Sequence, residues 1–383
     1  MFEITFSNLI ILFSFASSVF YFGFLIWIAN GIENGKKELK SAKQQQINRF
    51  ITIITVFRNE EKNLKNLIDS ILSLEYPRED FEIIFVDDNS SDNSVEVIHK
   101  KCSDLQYTII ENDKKLMQSF KKVAITKAVL QAKGEIIAIT DADSILPAEW
   151  LKIANESFSE KVDFISGLVT FDSDRNDFFS QAQKLEFAGL ILTGGGLIGN
   201  NFPIICSGAN IFFRQSAFQQ VDGYSGNLHL TSGDDEFLMQ KIAKLRDGNI
   251  LFNWAENSVV RTNQNNNLSE FMQQRKRWAS KGLFYNSKIV LLLFGLFLFY
   301  FSLFVLGISA FFVKSNAIAF LLIFSFKMIF EYNVLLHGKN LLFDSKTLNK
   351  LVFVEFLQIP YIIFASISGT FGNFIWKERK LKR

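Results

Sequence analysis

The chain alternates between two kinds of hydrophobic pattern. Residues Leu9 to Ala29 are almost purely apolar with no polar stripe, a run of about the ~20 residues that a helix needs to span a bilayer. From Phe50 the pattern shortens and becomes periodic. Phe50-Ile51-Thr52-Ile53-Ile54-Thr55-Val56 reads as a buried strand, and Leu64, Leu67, Ile68, Ile71 and Leu72 mark one face of a helix that Tyr76-Pro77 ends. A second strand over Phe81 to Val86 is followed by a helix over Ser94 to Lys101, a short strand over Tyr107 to Ile110 and a helix over Lys121 to Ala132. Gly134 then introduces Ile136-Ile137-Ala138-Ile139, an apolar run bounded by turn residues. Strand, helix, strand, helix, strand predicts an α/β fold with a doubly wound, mostly parallel sheet. Past Lys288 the long apolar runs return, at Ile289 to Val313, Ala317 to Leu336 and Leu351 to Ile375.

Two of the predicted strands end in carboxylates, Asp87-Asp88-Asn89-Ser90-Ser91-Asp92 and Asp141-Ala142-Asp143. In a parallel sheet both clusters project from the same edge, the carboxyl edge, where open α/β sheets place their ligands. Two carboxylates one residue apart can hold a hard divalent cation and leave coordination positions for phosphate oxygens. The plain alternative is a solvated turn in which Asp141 and Asp143 cap the next segment of backbone. Neither a P-loop nor Gly-x-Gly-x-x-Gly comes after the first strand, so nucleotide phosphates would have to be held by metal and basic side chains. Gly194-Gly195-Gly196 lies inside an apolar stretch and reads as a flexible or close-packed segment. The whole stretch from Phe178 to Ile198 reads as core or as a segment at the membrane interface.

Composition sharpens the division. Of 383 residues 48% are hydrophobic and 43 are Phe, heavy for a soluble protein, and the excess lies before residue 30 and after residue 288. The expected organisation is a membrane anchor over 1–30, a basic linker over 31–49, an α/β domain over 50–288, transmembrane or interfacial helices over 289–376 and a basic tail over 377–383. A formal charge of +2 does not point to nucleic acid. Cys102 and Cys206 are too few for a disulfide framework and suit a reducing compartment, and His99, His229 and His337 are too scattered for a His-rich metal site. Only Glu3 precedes the first apolar run as a charge, whereas Lys36, Lys37, Lys40, Lys43 and Arg49 come after it. The positive-inside rule then predicts a retained anchor with the domain in the cytoplasm, at the cell membrane. One conflict arises: three full C-terminal spans would put the basic tail on the opposite side. The third run reads either as a re-entrant or surface element broken at Pro360 or as an exception to the rule. Lys327 and Glu331 fall inside the second run at i,i+4, a self-neutralising pair or a functional one.

Taken in order, several segments resemble a family-two glycosyltransferase of the GT-A fold, in its membrane-bound, cellulose or poly-N-acetylglucosamine synthase-like branch. Thr55-Val56-Phe57-Arg58-Asn59-Glu60-Glu61 resembles the opening nucleotide loop, with Val56 where Pro is common. Val86 to Asp92 resembles the base-binding loop, Asp141-Ala142-Asp143 the metal motif, and Gly208-Ala209-Asn210 with Phe213-Arg214 the acceptor-side strand. Ser232-Gly233-Asp234-Asp235-Glu236-Phe237-Leu238 sits where the catalytic Glu-Asp pair falls, with Asp234 in place of Glu. Gln274-Arg275-Lys276-Arg277-Trp278 matches Gln-x-x-Arg-Trp.

The resemblance implies an inverting hexosyltransferase that moves sugar from a nucleotide-diphosphate donor, a UDP-sugar, to a polysaccharide or lipid-linked acceptor. It implies Mg²⁺ or Mn²⁺ on Asp141 and Asp143, and Asp235 as general base beside Asp234. Donor contacts fall to Glu60, Asp88 or Asp87, Lys122, Asp141 and Arg277, and acceptor contacts to Gln274 and Trp278. Asp92 reads instead as a helix cap. From the residues alone, Asp234-Asp235-Glu236 is also an acidic helix start, Lys122 a solvated helix lysine, and Trp278 an interfacial anchor. A rival from another class is a catalytically silent scaffold that binds nucleotide sugars in an envelope glycan assembly complex; a membrane nucleotidyltransferase leaves Gln274, Arg277 and Trp278 without a role.

Overall fold

The computed structural model describes residues 6–42, 48–112, 120–172, 175–245, 250–372, 374–376 and 379–381. Glu3, Lys43 and, in the tail, Lys377, Lys382 and Arg383 lie outside these residues. The first helix, α1 (Phe6–Ala42), continues past the apolar run through the basic segment. The domain then runs β1 (Ile51–Phe57), α2 (Glu61–Leu72), β2 (Phe81–Asp87), α3 (Ser94–Lys101), β3 (Tyr107–Glu111), α4 (Phe120–Gln131), β4 (Ile136–Ile139), α5 (Trp150–Ser157), β5 (Phe164–Gly167), β6 (Val169–Phe171) and α6 (Phe178–Gly199). It continues with β7 (Ile211–Arg214), α7 (Gln215–Gln220), α8 (Asp234–Ile242), β8 (Ile250–Asn253), β9 (Val260–Thr262) and α9 (Leu268–Ala279). Three long apolar helices come next, α10 (Ser287–Ser309), α11 (Lys314–Leu336) and α12 (Leu351–Phe371), then a short hairpin of β10 (Phe374–Trp376) and β11 (Arg379–Leu381).

The main sheet has the order β3-β2-β1-β4-β7-β5-β8. β1 pairs in parallel with β2 on one side and β4 on the other, so Ile53 faces both Ile83 and Ala138. All three strands are buried on both faces, which is why they read as continuous apolar runs rather than alternating ones. One strand departs from the parallel pattern. β7 runs antiparallel between β4 and β5, with Ile139 opposite Ile211. Its start therefore arrives at the edge where β4 ends, and Gly208-Ala209-Asn210 comes beside Asp141. Asn210 is locked there by Trp150 Nε1, 2.9 Å from its Oδ1, and by its own amide donating to the Leu168 carbonyl at 2.9 Å.

Phe178 to Ile198 forms one helix, α6, with its C-terminal half packed on α1. The glycines there are close-packed rather than flexible: a Cβ on Gly196 would lie 2.6 Å from the Ile28 carbonyl oxygen, and one on Gly31 or Gly199 would run into the other helix's backbone. Asn200 caps the contact by donating to the Trp27 carbonyl at 2.7 Å.

Among the described residues, four helices are long and apolar enough to cross a membrane: α1, α10, α11 and the segment Thr347–Phe371 that contains α12. α12 is continuous through Pro360. The Lys327–Glu331 pair, at 2.8 Å, is one part of a larger cluster, in which Lys327 also meets Glu355 and, at 2.9 Å, Gln358 of α12. The Tyr21 and Tyr300 hydroxyls, 2.9 Å apart, close the cluster from α1 and α10.

Candidate active site

The loops at the carboxyl edge of the sheet bring the acidic residues together. Asp88 follows β2, with its N–H held by the Phe57 carbonyl at 2.8 Å and its Oδ1 accepting from Asn112 Nδ2 at 3.1 Å. Arg58 Nη1 donates to the Asp88 carbonyl at 2.9 Å and joins the two loops. Asp87 is used differently: its Oδ1 accepts the Ser90 N–H at 2.9 Å and closes the turn. Asp88 and Glu60 line the cavity at this edge and Asp87 does not. Asp92 caps local backbone, accepting from the Glu61 and Ser94 N–H groups, each at 3.1 Å.

Asp141 and Asp143 follow β4, and Asp234 and Asp235 open α8. Gly233, at φ +76, sets the turn into that helix; a Cβ there would also meet the Phe237 ring at 2.7 Å. Asp235 is fixed by two backbone donors, Gly208 N–H to Oδ2 at 2.9 Å and Glu236 N–H to Oδ1 at 2.8 Å. Burial raises its carboxyl pKa above the usual carboxylate range, Lys281 opposes the rise and Asp234 adds to it. Asp234 moves the other way: burial would raise it, but the Lys121 ammonium holds it below the usual range. Two adjacent carboxyls pushed apart in this manner are divided into one held as an anion and one poised to take a proton.

Lys121 is the cation at the centre. Its Nζ lies 2.8 Å from Asp141 Oδ1 and 3.0 Å from Asp234 Oδ2. The sequence pattern suggests Lys122 for contact with the donor, and the structure corrects this. Lys122 is buried and donates to the Asn227 and Leu230 carbonyls at 2.8 and 2.9 Å, with burial lowering its pKa to about 8. Nothing local distinguishes the two lysines, since both precede the buried Ala124, Ile125, Ala128 and Val129; the loop at 227–230 captures the second.

Helix α9 crosses the site. Arg277, half-buried, faces Asp234, Asp141 and Asp235 as opposite charges. Arg275 is buried and pairs through two nitrogens with Glu186 of α6, Nε to Oε1 at 2.9 Å, while its guanidinium lies 4.3 Å from the Phe271 ring and 4.2 Å from Trp278. Trp278 is further packed on Phe187, ring centroids 6.2 Å apart. Gln274 accepts from Asn265 Nδ2 at 3.0 Å. Sequence reasoning also passed over Lys281, which pairs with Glu236 at 2.7 Å, and Tyr285, which donates to the same carboxylate.

Most of these residues border one cavity of about 1410 Å³. Glu60, Asp88, Asp141, Asp143, Lys121, Asp234, Asp235 and Arg277 line it on the sheet side, and Gln274 and Trp278 lie on its α9 wall. From there it continues between α6, α10 and α12 over largely apolar side chains. Asp141 and Asp143 offer hard oxygen donors, and no group of three or more potential ligands occurs among the described residues. Such a donor set fits Mg²⁺ or Mn²⁺ that takes its remaining ligands from phosphate and water.

A mixed sheet with carboxylates along its carboxyl edge, opening on a cavity between apolar helices, has the architecture of a GT-A glycosyltransferase. Residues 52–222 match the family model for glycosyl transferase family 2. Poly-beta-1,6-N-acetyl-D-glucosamine synthase of Staphylococcus epidermidis is 28% identical over 193 residues, 49% of this chain and 44% of that protein. Beta-monoglucosyldiacylglycerol synthase of Trichormus variabilis is 25% identical over 140 residues, 36% of this chain and 30% of that protein. The chain thus spans less than half the length of these curated relatives. The fold extends further. The solved mannosyltransferase PcManGT from Pyrobaculum calidifontis, in complex with GDP-Man and Mn²⁺, superposes with a TM-score of 0.61 over 94% of this chain and 99% of that one, at 17% identity.

Proposed function

We propose that the protein is a membrane-integrated, inverting glycosyltransferase that moves a sugar from a nucleotide-diphosphate sugar, a UDP-sugar, to a hydroxyl of a lipid-linked or polysaccharide acceptor. The observation that carries this reading is the division of one cavity into a charged sheet side and an apolar membrane side. Asp88 and Glu60 hold the base of the donor at the first. Its diphosphate lies toward Asp141, Arg277 and Lys121, and the guanidinium plane of Arg277 suits phosphate oxygens. A divalent cation on Asp141 and Asp143 supplies Lewis-acid stabilisation of the leaving diphosphate when bound.

Asp235 takes the proton of the acceptor hydroxyl as that oxygen bonds to the anomeric carbon. The bond from that carbon to the diphosphate breaks, and its electron pair leaves with the phosphate. Two backbone N–H groups orient Asp235 and burial raises its proton affinity, as a general base requires. Attack opposite the leaving group inverts the centre, so an α-linked donor gives a β-linked product. Gln274 and Trp278 border the acceptor side, and the apolar wall of α6, α10 and α12 suits an acceptor delivered from the membrane. One curated relative is named for a polysaccharide product and another for a glycolipid product.

The test is release of nucleoside diphosphate by purified membranes supplied with UDP- or GDP-sugars, Mg²⁺ or Mn²⁺ and mixed lipid extract, with Asp235→Asn and Asp143→Asn alongside. Turnover of one donor, lost in both variants, is expected, and the length of the labelled product separates polymer from single transfer. Nucleotide binding without turnover for every donor would favour the scaffold instead.

A further inference from the structure

The three helices α1, α10 and α11 define a direction across the membrane. Their far ends meet where Ser7 donates to Asn316 Oδ1 at 2.6 Å and Asn316 donates to Ser309 at 2.9 Å. Their near ends meet the domain: Gly31 of α1 packs on α6, Lys36 lies 3.3 Å from His337 just past α11, and Asn286 caps α10 directly after the α9 region. α12 does not keep to this direction. Just before it, Thr347 donates to Gln181 of α6, and Phe353 in its first turn meets Phe178 edge-on at 6.5 Å. At its middle, Tyr361 donates to Glu186 at 3.0 Å and lies 5.4 Å from the Phe271 ring. Toward its end, Lys276 of α9 sits 5.3 Å from the Phe364 ring, and a Cβ on Gly369 would lie 2.6 Å from that of Ala279. β10 then packs against α9 as well. Both ends of α12 therefore touch the catalytic domain. On the membrane side it meets Lys327 and, one turn deeper, Phe324 of α11, whose ring lies edge-on 6.2 Å from that of Phe356, and Phe304 of α10 borders the same small cavity as Pro360; all three lie short of the Ser309–Asn316 end.

Length alone cannot reveal this, because 21 residues suffice to span. Charge is an independent sign. Lys339, Lys346 and Lys350 precede α12, and Lys377, Arg379, Lys380, Lys382 and Arg383 come after it, whereas Lys314 alone is basic in the turn between α10 and α11. Basic residues on both flanks of a span violate the positive-inside rule, but they satisfy it if both flanks share the catalytic domain's side. Phe353, Phe356, Leu357, Ile367 and Phe371 are exposed and follow one another at helical spacing as an apolar stripe.

We propose that α12 is a re-entrant helix that lies in the leaflet next to the catalytic domain, with its Phe-rich stripe against acyl chains, so that the chain crosses the membrane three times and its basic tail stays on the domain's side. A helix can lie at this depth because its backbone is satisfied internally, and the clamps to α6, α9 and α11 bind its polar face. The tail is then placed to meet anionic headgroups.

The test uses the full chain in native membrane vesicles of both orientations and a membrane-impermeant maleimide. Ser315→Cys, Ser345→Cys and a cysteine appended after Arg383 are read separately above the unmodified chain, with Lys346→Cys in reserve should Ser345→Cys fail to accumulate. The expected result is labelling of the Ser345 and tail positions in inside-out vesicles, and of the Ser315 position in right-side-out vesicles. Labelling of the tail cysteine from the same side as Ser315→Cys would overturn the proposal and make α12 a fourth crossing.

Discussion

Two lysines in this protein, Lys121 and Lys327, each sit between carboxylates, and the two clusters use the same groups to opposite ends. Lys327 is fully buried among helices and meets Glu331, Glu355 and Gln358, while Tyr21 donates to Glu331. Acceptors and donors there are matched, and the cluster ties α1, α10, α11 and α12 together. Around Lys121 the charges face a cavity: Asp141 and Asp234 hold its ammonium, Asp235 acts on it as a further negative charge, and these carboxylates border the cavity together with Asp143. A closed cluster stabilises a packing; an open one keeps charge available for a ligand. Energy makes the distinction sharp, because a fully buried charge must be answered by its protein neighbours, whereas one that borders a cavity can also be answered by solvent or a ligand.

The largest effect that separates the two is expected at Asp235. Asp235→Asn should lower turnover about 10²–10⁴-fold while donor affinity and thermal stability stay near those of the parent chain. An equal loss of donor binding in calorimetry would assign Asp235 to the donor instead. Next comes Lys327→Met, which leaves two buried carboxylates without their cation and should cost about 3–5 kcal/mol in unfolding of the detergent-solubilised protein. Lys327→Met with Glu331→Gln and Glu355→Gln should recover part of that loss; no recovery would show that packing rather than charge is at stake. Arg275→Lys keeps the charge but loses the two-pronged pairing with Glu186 and the flat contact with Phe271 and Trp278, a cost of about 1.5–3 kcal/mol. Its signature is a lowered melting temperature with the pH profile unmoved.

The smallest effect is the most specific. Burial holds Asp235 above the ordinary carboxylate range, so its basic form appears only as pH rises through that raised value, and kcat/KM climbs with it. Asp234 adds to the rise and Lys281 opposes it. Asp234→Asn should therefore move the acid limb to lower pH and Lys281→Met should move it to higher pH. Limbs that move together, or not at all, would exclude Asp235 as the titrating base.

Much of the α/β domain was legible from spacing. The strands over Phe81 to Val86 and Ile136 to Ile139 are buried on both faces, and a continuous apolar run bounded by turns is how such strands read. The acidic residues that end them were legible as a group, because parallel strands of similar length must deliver their carboxyl ends to one edge. The antiparallel β7 was not, since Ile211 to Arg214 carries no mark of direction. Nor was the division of labour between Asp87 and Asp88, which rests on whether a side chain closes a turn or faces a cavity.

By itself the sequence did not show that α1 continues through the basic segment or that Phe178–Gly199 is one helix; it did determine the first strands and helices of the α/β domain, the approximate place of the apolar helices, and that carboxylates gather at one edge. These are local properties, set by periodicity and side-chain type within a turn or two of the chain. Tertiary structure alone decided that Lys121 rather than Lys122 meets the carboxylates, that Arg275 is anchored by Glu186, that Glu355 answers Lys327, and that α12 packs against both α6 and α9. Each of those depends on a partner dozens of residues away, and only packing determines which distant group fills the space beside a given side chain.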